Sequence, residues 1–233
     1  MKFKIDGDIF EKFPGLNIGI AVAKSIDNTG SNDEIMKLIR EREKEIRSNL
    51  STEKLSQNPK IEAWRRAYSS FRAKPKKYKC SVENLYRMIL KGIDLKHINK
   101  IVDVYNYISI KHTIPLGGDD IDKVDGGIRL KYADGDESFV ELNSQETVHP
   151  KQGEVVYADE KEILCRRWNW RECDKSKMTK VTKNVALVVE GLSPFSKEDV
   201  ERIIDELKEL VQKYCGGEAK TFILNENMKE IDF

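Results

Sequence analysis

Apolar positions near the N-terminus fall into two short runs, Phe3 to Ile5 and Ile18 to Ala23, bracketing a turn at Pro14-Gly15. The second run is continuous rather than alternating, the pattern of a strand buried on both faces. From Asp33 to Leu50 the period changes to that of a helix, with Ile35, Ile39, Arg42 and Ile46 on one stripe. A short helix is expected over Glu62 to Phe71, stopped before Pro75. The next follows KPKKYKC: Ser81 is placed to cap it, Val82, Leu85, Met88 and Ile89 share a face, and Gly92 lies just past its end. Leu95 to Ile110 reads as a further helix.

After Pro115 the pattern changes. GGDD, DGG and DGD turns separate short runs at Ile128 to Ala133, Ser138 to Leu142, Val155 to Ala158 and Ile163 to Trp168, the punctuation of an antiparallel meander. A last unit has a strand at Val185 to Glu190 and a capping-box start at Ser196 to Asp199. Its helix carries a stripe of Val200, Ile203, Ile204, Leu207, Leu210 and Val211, ends at Gly216-Gly217, and is followed by a strand from Thr221 to Leu224. Strands and helices are segregated, so the fold class is α+β with antiparallel or mixed sheets. No internal repeat and no long linker divides the chain.

The 233 residues, 39% hydrophobic, have too much apolar material for disorder and too much charge for a membrane protein. The N-terminus MKFKIDGDIFEKF lacks an apolar signal core, and no run approaches a membrane span, so the expected compartment is cytoplasmic. Cys80, Cys165, Cys173 and Cys215 form no C-x-x-C pair, and with only three His they argue against a zinc site or a redox dithiol. No metal or cofactor is expected, and the thiols read as reduced and buried.

Net charge is +1, but its distribution is uneven. Residues 60–100 carry 12 Lys and Arg against three acids, residues 117–162 five against 13, and residues 163–183 seven against two. In the first block Arg65, Arg66, Arg72, Lys74, Lys76 and Lys77 are interleaved with Trp64, Tyr68, Phe71 and Tyr78. Cations for phosphates and flat rings for bases suit looped or single-stranded RNA, although basic helix faces are also commonly just solvated.

The stretch Leu164 to Glu172, LCRRWNWRE, concentrates the most chemistry. Arg166, Arg167 and Arg171 offer forks for a carboxylate or phosphate, Trp168 and Trp170 flat faces, and Asn169 and Glu172 polar contacts. As a strand it would put Arg166, Trp168 and Trp170 on one side and Arg167, Asn169 and Arg171 on the other. The competing reading has the Trp in the core and the Arg paired with the acidic block. Asp103 and Asn106, at the end of an apolar helix, must find partners or a ligand. None of the three His has a nucleophile at a triad spacing, and the Gly-Gly pairs match no phosphate loop or dinucleotide fingerprint.

Taken in order, Ile101 to Ile108 (IVDVYNYI), Ile114 to Val124 (IPLGGDDIDKV), Val156 to Glu160 (VYADE) and Thr182 to Asn184 (TKN) resemble the B3/B4 domain of the phenylalanyl-tRNA synthetase beta subunit. In bacterial synthetases this module hydrolyses tyrosine wrongly attached to the tRNA. The resemblance runs from about residue 60 to the C-terminus and implies an α+β fold with a cleft between sheet layers. It leaves no room for a synthetase catalytic core, so a freestanding B3/B4 protein is expected: a single domain over 1–233, with 1–60 an N-terminal extension packed on it.

Residue by residue, the resemblance sets Asn106 beside the editing pocket, Tyr105 where the family has Thr, and Glu172 where it places the Glu that contacts the amino-acid moiety. Gly117 stands where the family has His in Pro-Leu-His, and RRWNWR replaces a small, Gly-rich stretch. The expected function is a trans-acting editing hydrolase for a mischarged aminoacyl-tRNA, with Glu172, Asn106, Arg166 and Arg167 catalytic. Tyr105, Asp103, Gly117, Trp168, Asn169, Trp170 and Arg171 then line the substrate site, and the basic segment binds tRNA. The alternatives are a noncatalytic tRNA- or amino-acid-binding module and a hydrolase of another small acyl derivative. Neither DNA nor a membrane is an expected partner, and these residues specify no synthetase partner.

Overall fold

The computed structural model describes residues 1–233. In chain order the elements are β1 (Lys2–Ile5), α1 (Gly7–Lys12), β2 (Asn17–Lys24), α2 (Asp33–Asn49), α3 (Thr52–Leu55), α4 (Pro59–Ser70), α5 (Ser81–Leu90) and α6 (Lys100–His112). The β-rich middle follows with β3 (Leu116–Asp120), β4 (Ile128–Tyr132), β5 (Phe139–Val140), β6 (Thr147–Val148), β7 (Val155–Ala158), β8 (Ile163–Arg166) and β9 (Arg171–Glu172). The chain closes with β10 (Val185–Gly191), α7 (Lys197–Cys215), β11 (Glu218–Leu224) and β12 (Glu230–Asp232). The fold is α+β, and no helix is long and apolar enough to cross a membrane.

Two sheets and a helical layer stack on one another. A six-stranded sheet runs β12-β1-β4-β7-β8-β9, and a four-stranded sheet runs β11-β2-β10-β3. Every pairing is antiparallel except β1 with β4 in the larger sheet, and β5 and β6 form a separate ribbon. The smaller sheet is the middle layer, which explains why β2 and β10 are apolar at nearly every position. Ile18, Ile20, Val22, Ala186 and Val188 join the core shared with Phe3, Ile5, Ile128 and Leu130 of the larger sheet. The alternate residues Ala21, Ala23, Val185, Leu187 and Val189 join a second core with Ile101, Val104 and Ile108 of α6 and Val200, Ile203 and Leu207 of α7.

The first sixty residues are part of this framework rather than an extension packed on it. β1 lies between β12 and β4, and β2 lies between β11 and β10, so each is hydrogen-bonded on both sides. Both are short apolar runs that find their partners more than a hundred residues away, and nothing local marks such a pairing.

Four local expectations are corrected. The helix expected from Leu95 begins only at Lys100, where the Asn99 side chain accepts from the Val102 amide. Ser81 does not cap α5: the cap position is Cys80, and the Ser81 hydroxyl is buried without a partner. The buried face of α5 is Val82, Glu83, Tyr86 and Ile89, while Met88 is exposed. Glu83 is buried because Arg65 and Arg87 both reach it at 2.8 Å, and the Tyr86 hydroxyl donates to the Ile110 carbonyl. On α2 Glu43, not Arg42, completes the buried stripe, bonded to Arg40 and accepting from the Leu95 amide.

The strand expected over Ile163 to Trp168 stops at Arg166. Arg167 and Trp168 have φ of 47° and 68°, and the chain doubles back so that β9 pairs with β8, Cys165 opposite Glu172. The Trp168 amide donates to the Val155 carbonyl and the Trp170 amide to the Arg166 carbonyl. This tight reversal removes the strand alternation of residues 166–171.

Candidate functional site

β3 and β9 are edge strands of different sheets, and the reversal at Arg167-Trp168 carries β9 to the place where the two edges meet. Glu172 reaches across from β9 to the glycines of β3. A Cβ built on Gly117 would lie 2.9 Å from Glu172 Oε1, so the missing side chain is what admits the carboxyl. A Cβ on Gly118 would lie 2.4 Å from the Ala186 carbonyl oxygen, which requires glycine for β3 to pack on β10. α6 lies over this junction and contributes Val102 and Tyr105. The result is a cavity of about 360 Å³ whose walls include Val102, Tyr105, Asp119, Glu172, Ser176 and Met178.

Behind it lies a chamber of about 20 Å³ that shares Gly118, Asp119 and Glu172 with the cavity and adds Gly117, Trp168, Asn169 and Glu190. Three carboxyl groups therefore surround this junction. Glu172 has no cationic partner, only the weak Cys165 thiol as a neighbouring donor, and burial followed by repulsion from Asp119 and Glu190 pushes it well above the usual carboxylate range. Asp119 accepts from the Ser176 hydroxyl at 2.5 Å and is pushed up to about 6, chiefly by burial. Glu190 accepts from the Tyr157 hydroxyl at 2.7 Å and the Asn169 amide at 2.5 Å, and burial pushes it up to about 7. The Tyr68 hydroxyl in turn donates to the Asn169 carbonyl, fixing its orientation.

No ammonium, guanidinium or imidazole of the protein neutralises these groups. Lys177 lines the cavity, but its ammonium is held by Asp174 at 2.8 Å. His97 is bonded to Asp103, His112 to Glu206, and His149 to the carbonyls of Asp136 and Glu137. An acidic cavity with apolar walls complements a ligand with a cationic head and an uncharged body.

The edge of β3 supplies a donor as well. The Glu190 amide donates to the Pro115 carbonyl and the Ile121 amide to the Asn184 carbonyl, so the odd-numbered residues of β3 face β10. Even-numbered amides turn outward: that of Asp120 reaches the Ser176 carbonyl, while that of Gly118 faces the cavity edge.

Of the residues singled out from the sequence, Glu172 and Tyr105 meet in the cavity, and Gly117, Trp168 and Asn169 surround the inner chamber. Asn106 is half-buried, makes no side-chain hydrogen bond and lines neither space. Asp103 faces the start of α6, where it binds His97 and the Ile98 amide. Arg166 makes a bidentate pair with Glu154 at 2.8 and 3.0 Å, and Arg167 approaches Glu154 at 3.5 Å while stacking 3.9 Å from the Tyr78 ring centre. Both guanidiniums are buried and already paired with the acidic block. Trp170 packs on Tyr78 and Arg167, and Arg171 is exposed beside Glu141. Trp168 is fully buried against Phe13 and Trp64.

Sequence reading missed Asp119, Ser176 and Glu190. Glu190 carried a signal, a carboxyl ending the apolar run VALVV, where burial was predictable. Asp119 was hidden in a GGDD turn-like string, and Ser176 had no distinguishing feature.

In the basic segment Arg66, Arg72, Lys74, Lys76 and Lys77 are exposed, whereas Arg65 is partly buried on Glu83. Arg66, Ser69, Ser70, Pro75 and Lys76 border an open depression at the end of α4. All four cysteines are buried free thiols.

A family model of the B3/4 domain matches residues 63–216. The phenylalanine–tRNA ligase beta subunit of Colwellia psychrerythraea is 37% identical over 75 residues, 32% of this chain and 9% of that protein. The beta subunit of Aquifex aeolicus is 24% identical over 147 residues, 54% of this chain and 19% of that one. The match thus spans less than a fifth of either relative. Among solved structures, an N-terminal fragment of the phenylalanyl-tRNA synthetase beta subunit from Pyrococcus horikoshii aligns with a TM-score of 0.47 at 14% identity, over 93% of this chain and 49% of that one.

Proposed function

The chain belongs to the B3/4 domain family, and from that premise we propose that it acts in trans to hydrolyse the ester of a mischarged aminoacyl-tRNA. The observation that carries this reading is Glu172, a carboxyl without a cationic partner in the inner wall of an acidic cavity. The α-ammonium of an esterified amino acid supplies the missing cation. As it enters, Glu172 passes its proton to water and pairs with the ammonium, with Asp119 beside it.

The scissile carbonyl then lies toward the edge of β3, where the Gly118 amide donates to the oxygen as negative charge develops. Arg166 and Arg167 do not serve there, because Glu154 holds them. Water adds to the carbonyl carbon, the bond to the ribose oxygen breaks, and that oxygen takes a proton, releasing free amino acid and tRNA. The ester is intrinsically labile, so positioning supplies most of the required acceleration, and the neighbouring ribose hydroxyl is the group suited to assist the water. The exposed cations from Arg66 to Lys77 are assigned to the tRNA phosphates. This reading places the protein with the cytoplasmic translation machinery.

A second reading, a binding module without chemistry, is favoured by one observation: the cavity has no imidazole, since Gly117 replaces the family histidine and His97 and His112 are bonded elsewhere. Release of radiolabelled amino acid from a panel of mischarged tRNAs separates the two. Hydrolysis of at least one ester, abolished in Glu172→Gln, supports the first; tRNA binding with no release from any substrate sinks it and leaves the second.

A further inference from the structure

The inner chamber behind Glu172 contains an unsatisfied donor. Trp168 is fully buried, and its Nε1–H has no partner at hydrogen-bonding geometry, although it lies toward the Glu190 carboxyl and the Tyr157 oxygen. A buried indole N–H left unpaired is costly, and a chamber of about 20 Å³ has room for one water molecule. Polar partners for that water are present: Trp168 and the protonated Glu172 to donate to it, and Glu190 to accept from it.

We propose that the chamber is a water site joining Glu190 to Glu172, and that Glu190 serves as a proton acceptor behind the cavity carboxyl. Starting from Glu172–COOH and Glu190–COO⁻, the water takes the Glu172 proton and passes one of its own to Glu190. The products are Glu172–COO⁻ and Glu190–COOH. Only O–H bonds form and break, and the total charge is unchanged. A cationic ligand arriving in the outer cavity thus meets a carboxylate without a proton having to escape through the occupied mouth. Glu190 touches no ligand and is a positioning residue, acting through Glu172.

The hydrogen bonds to Glu190 favour its carboxylate, the accepting form, because both are donated to it. Tyr157 and Asn169 hold its oxygens in place, and Tyr68 fixes Asn169. The titratable groups facing the pair are Asp119, Cys165, Tyr105 and Cys173 around Glu172, and Tyr157, Tyr68, Cys80 and Cys165 around Glu190. None carries a positive charge, and the one other carboxyl beside Glu172, Asp119, already accepts from the Ser176 hydroxyl.

This inference rests on the cavity reading above, but its test does not need activity. In protein labelled with ¹⁵N and with ¹³C at glutamate Cδ, the Trp168 indole proton, assigned by its disappearance in Trp168→Phe, should show a cross-peak to water. Glu172 and Glu190, assigned with Glu172→Gln and Glu190→Gln, should each titrate in two steps separated by more than about one pH unit, as coupled groups do. Glu190→Gln should move the Glu172 titration to lower pH, because one repelling charge is gone, while the repulsion from Asp119 remains. If that variant does not fold, Tyr157→Phe serves instead: it removes a donor to Glu190 and should move the shared titration to higher pH. In the deacylation assay, Glu190→Gln should shift the acid limb of kcat/KM to lower pH. A wild-type protein that releases no amino acid refutes the hydrolase reading, while the spectra still decide the relay. No water cross-peak, or a Glu172 titration indifferent to Glu190, overturns it.

Discussion

A Cβ on Gly117 would stand 2.9 Å from Glu172 Oε1, whereas a Cβ on Gly118, one residue along, would stand 2.4 Å from the Ala186 carbonyl oxygen. The two glycines therefore serve different ends. The obstacle at 117 is the tip of a side chain that can turn aside; the obstacle at 118 is backbone. Gly117→Ala should change stability by less than about 1 kcal/mol, while Gly118→Ala should cost about 1–3 kcal/mol through overpacking. Urea midpoints measure both, and a large destabilisation in Gly117→Ala would mean that Glu172 is fixed more rigidly than its lack of a cationic partner implies.

The buried carboxyls make stability depend on pH in a defined direction. Glu190 titrates near 4.5 in its ordinary state and about 7 in the fold, and Asp119 moves from 3.8 to about 6. Folded values above unfolded ones give stability that is complete below the ordinary value and lost as pH rises through the folded one. For Glu190 the loss between pH 4.5 and pH 7 or slightly above is on the order of 3 kcal/mol. Denaturation at pH 5 and pH 8 should show the wild type weaker at pH 8, and Glu190→Gln should flatten the difference. A wild type that gains stability over this range would contradict the burial argument.

The Arg166–Glu154 pair is buried on both sides, with side-chain exposures of 10% and 5%. Removing one member leaves an uncompensated charge in the interior, so Glu154→Ala should destabilise by about 3–5 kcal/mol. Replacing both members with apolar residues of similar volume should recover only part of that loss, because the buried Arg167 approaches the same carboxylate at 3.5 Å and is left without it. A double mutant as stable as the wild type would show that Arg167 does not depend on Glu154.

Where local pattern determines structure, the sequence was readable. The capping box at Ser196 and Asp199 forms as its spacing predicts, and the apolar run of β2 lies between two cores because nothing polar in it could face water. Glu83 and Glu43 defeated the pattern: each is a carboxylate on a buried face, tolerable only because an arginine reaches it, and such pairings are set by tertiary structure. The reversal at Arg167 and Trp168 was invisible for a related reason. Left-handed backbone is ordinarily signalled by Gly or Asn, and here an Arg and a Trp adopt it under the constraint of the Trp168 core packing. Glu172 was found from the family resemblance; Asp119 and Glu190 required the meeting of three strands distant in sequence.

RNA binding should divide the basic segment in two. For every phosphate that the protein no longer neutralises, the log–log salt slope falls by about 0.9 for duplex or 0.7 for single-stranded RNA. Charge reversal at Arg66, Lys74, Lys76 or Lys77 removes an exposed cation and should weaken tRNA binding while leaving the thermal midpoint nearly unchanged. Arg65→Glu should instead unfold the protein, because it sets a second carboxylate against the buried Glu83. Filter binding across a salt series, paired with thermal melts, separates these effects, and an unchanged slope in all four surface variants would place the RNA elsewhere.

The amino acid accepted should be governed by Tyr105, the aromatic residue that lines the outer cavity. Trp168 and Trp170 do not narrow that cavity: the first fills the core against Phe13 and Trp64, and the second packs on Tyr78. Tyr105→Thr should therefore extend hydrolysis to esters of bulkier amino acids, because exclusion by size discriminates more sharply than the ~1–3 kcal/mol lost per missing methylene. Trp168→Gly should instead cost at least the ~3–5 kcal/mol of a large-to-small core substitution and abolish folding before any change of specificity is seen. Deacylation of a graded series of aminoacyl-tRNAs by wild type and Tyr105→Thr, with a melting curve for Trp168→Gly, tests the assignment. Rapid hydrolysis of Tyr-tRNA by the wild type would sink the size argument while upholding the hydrolase.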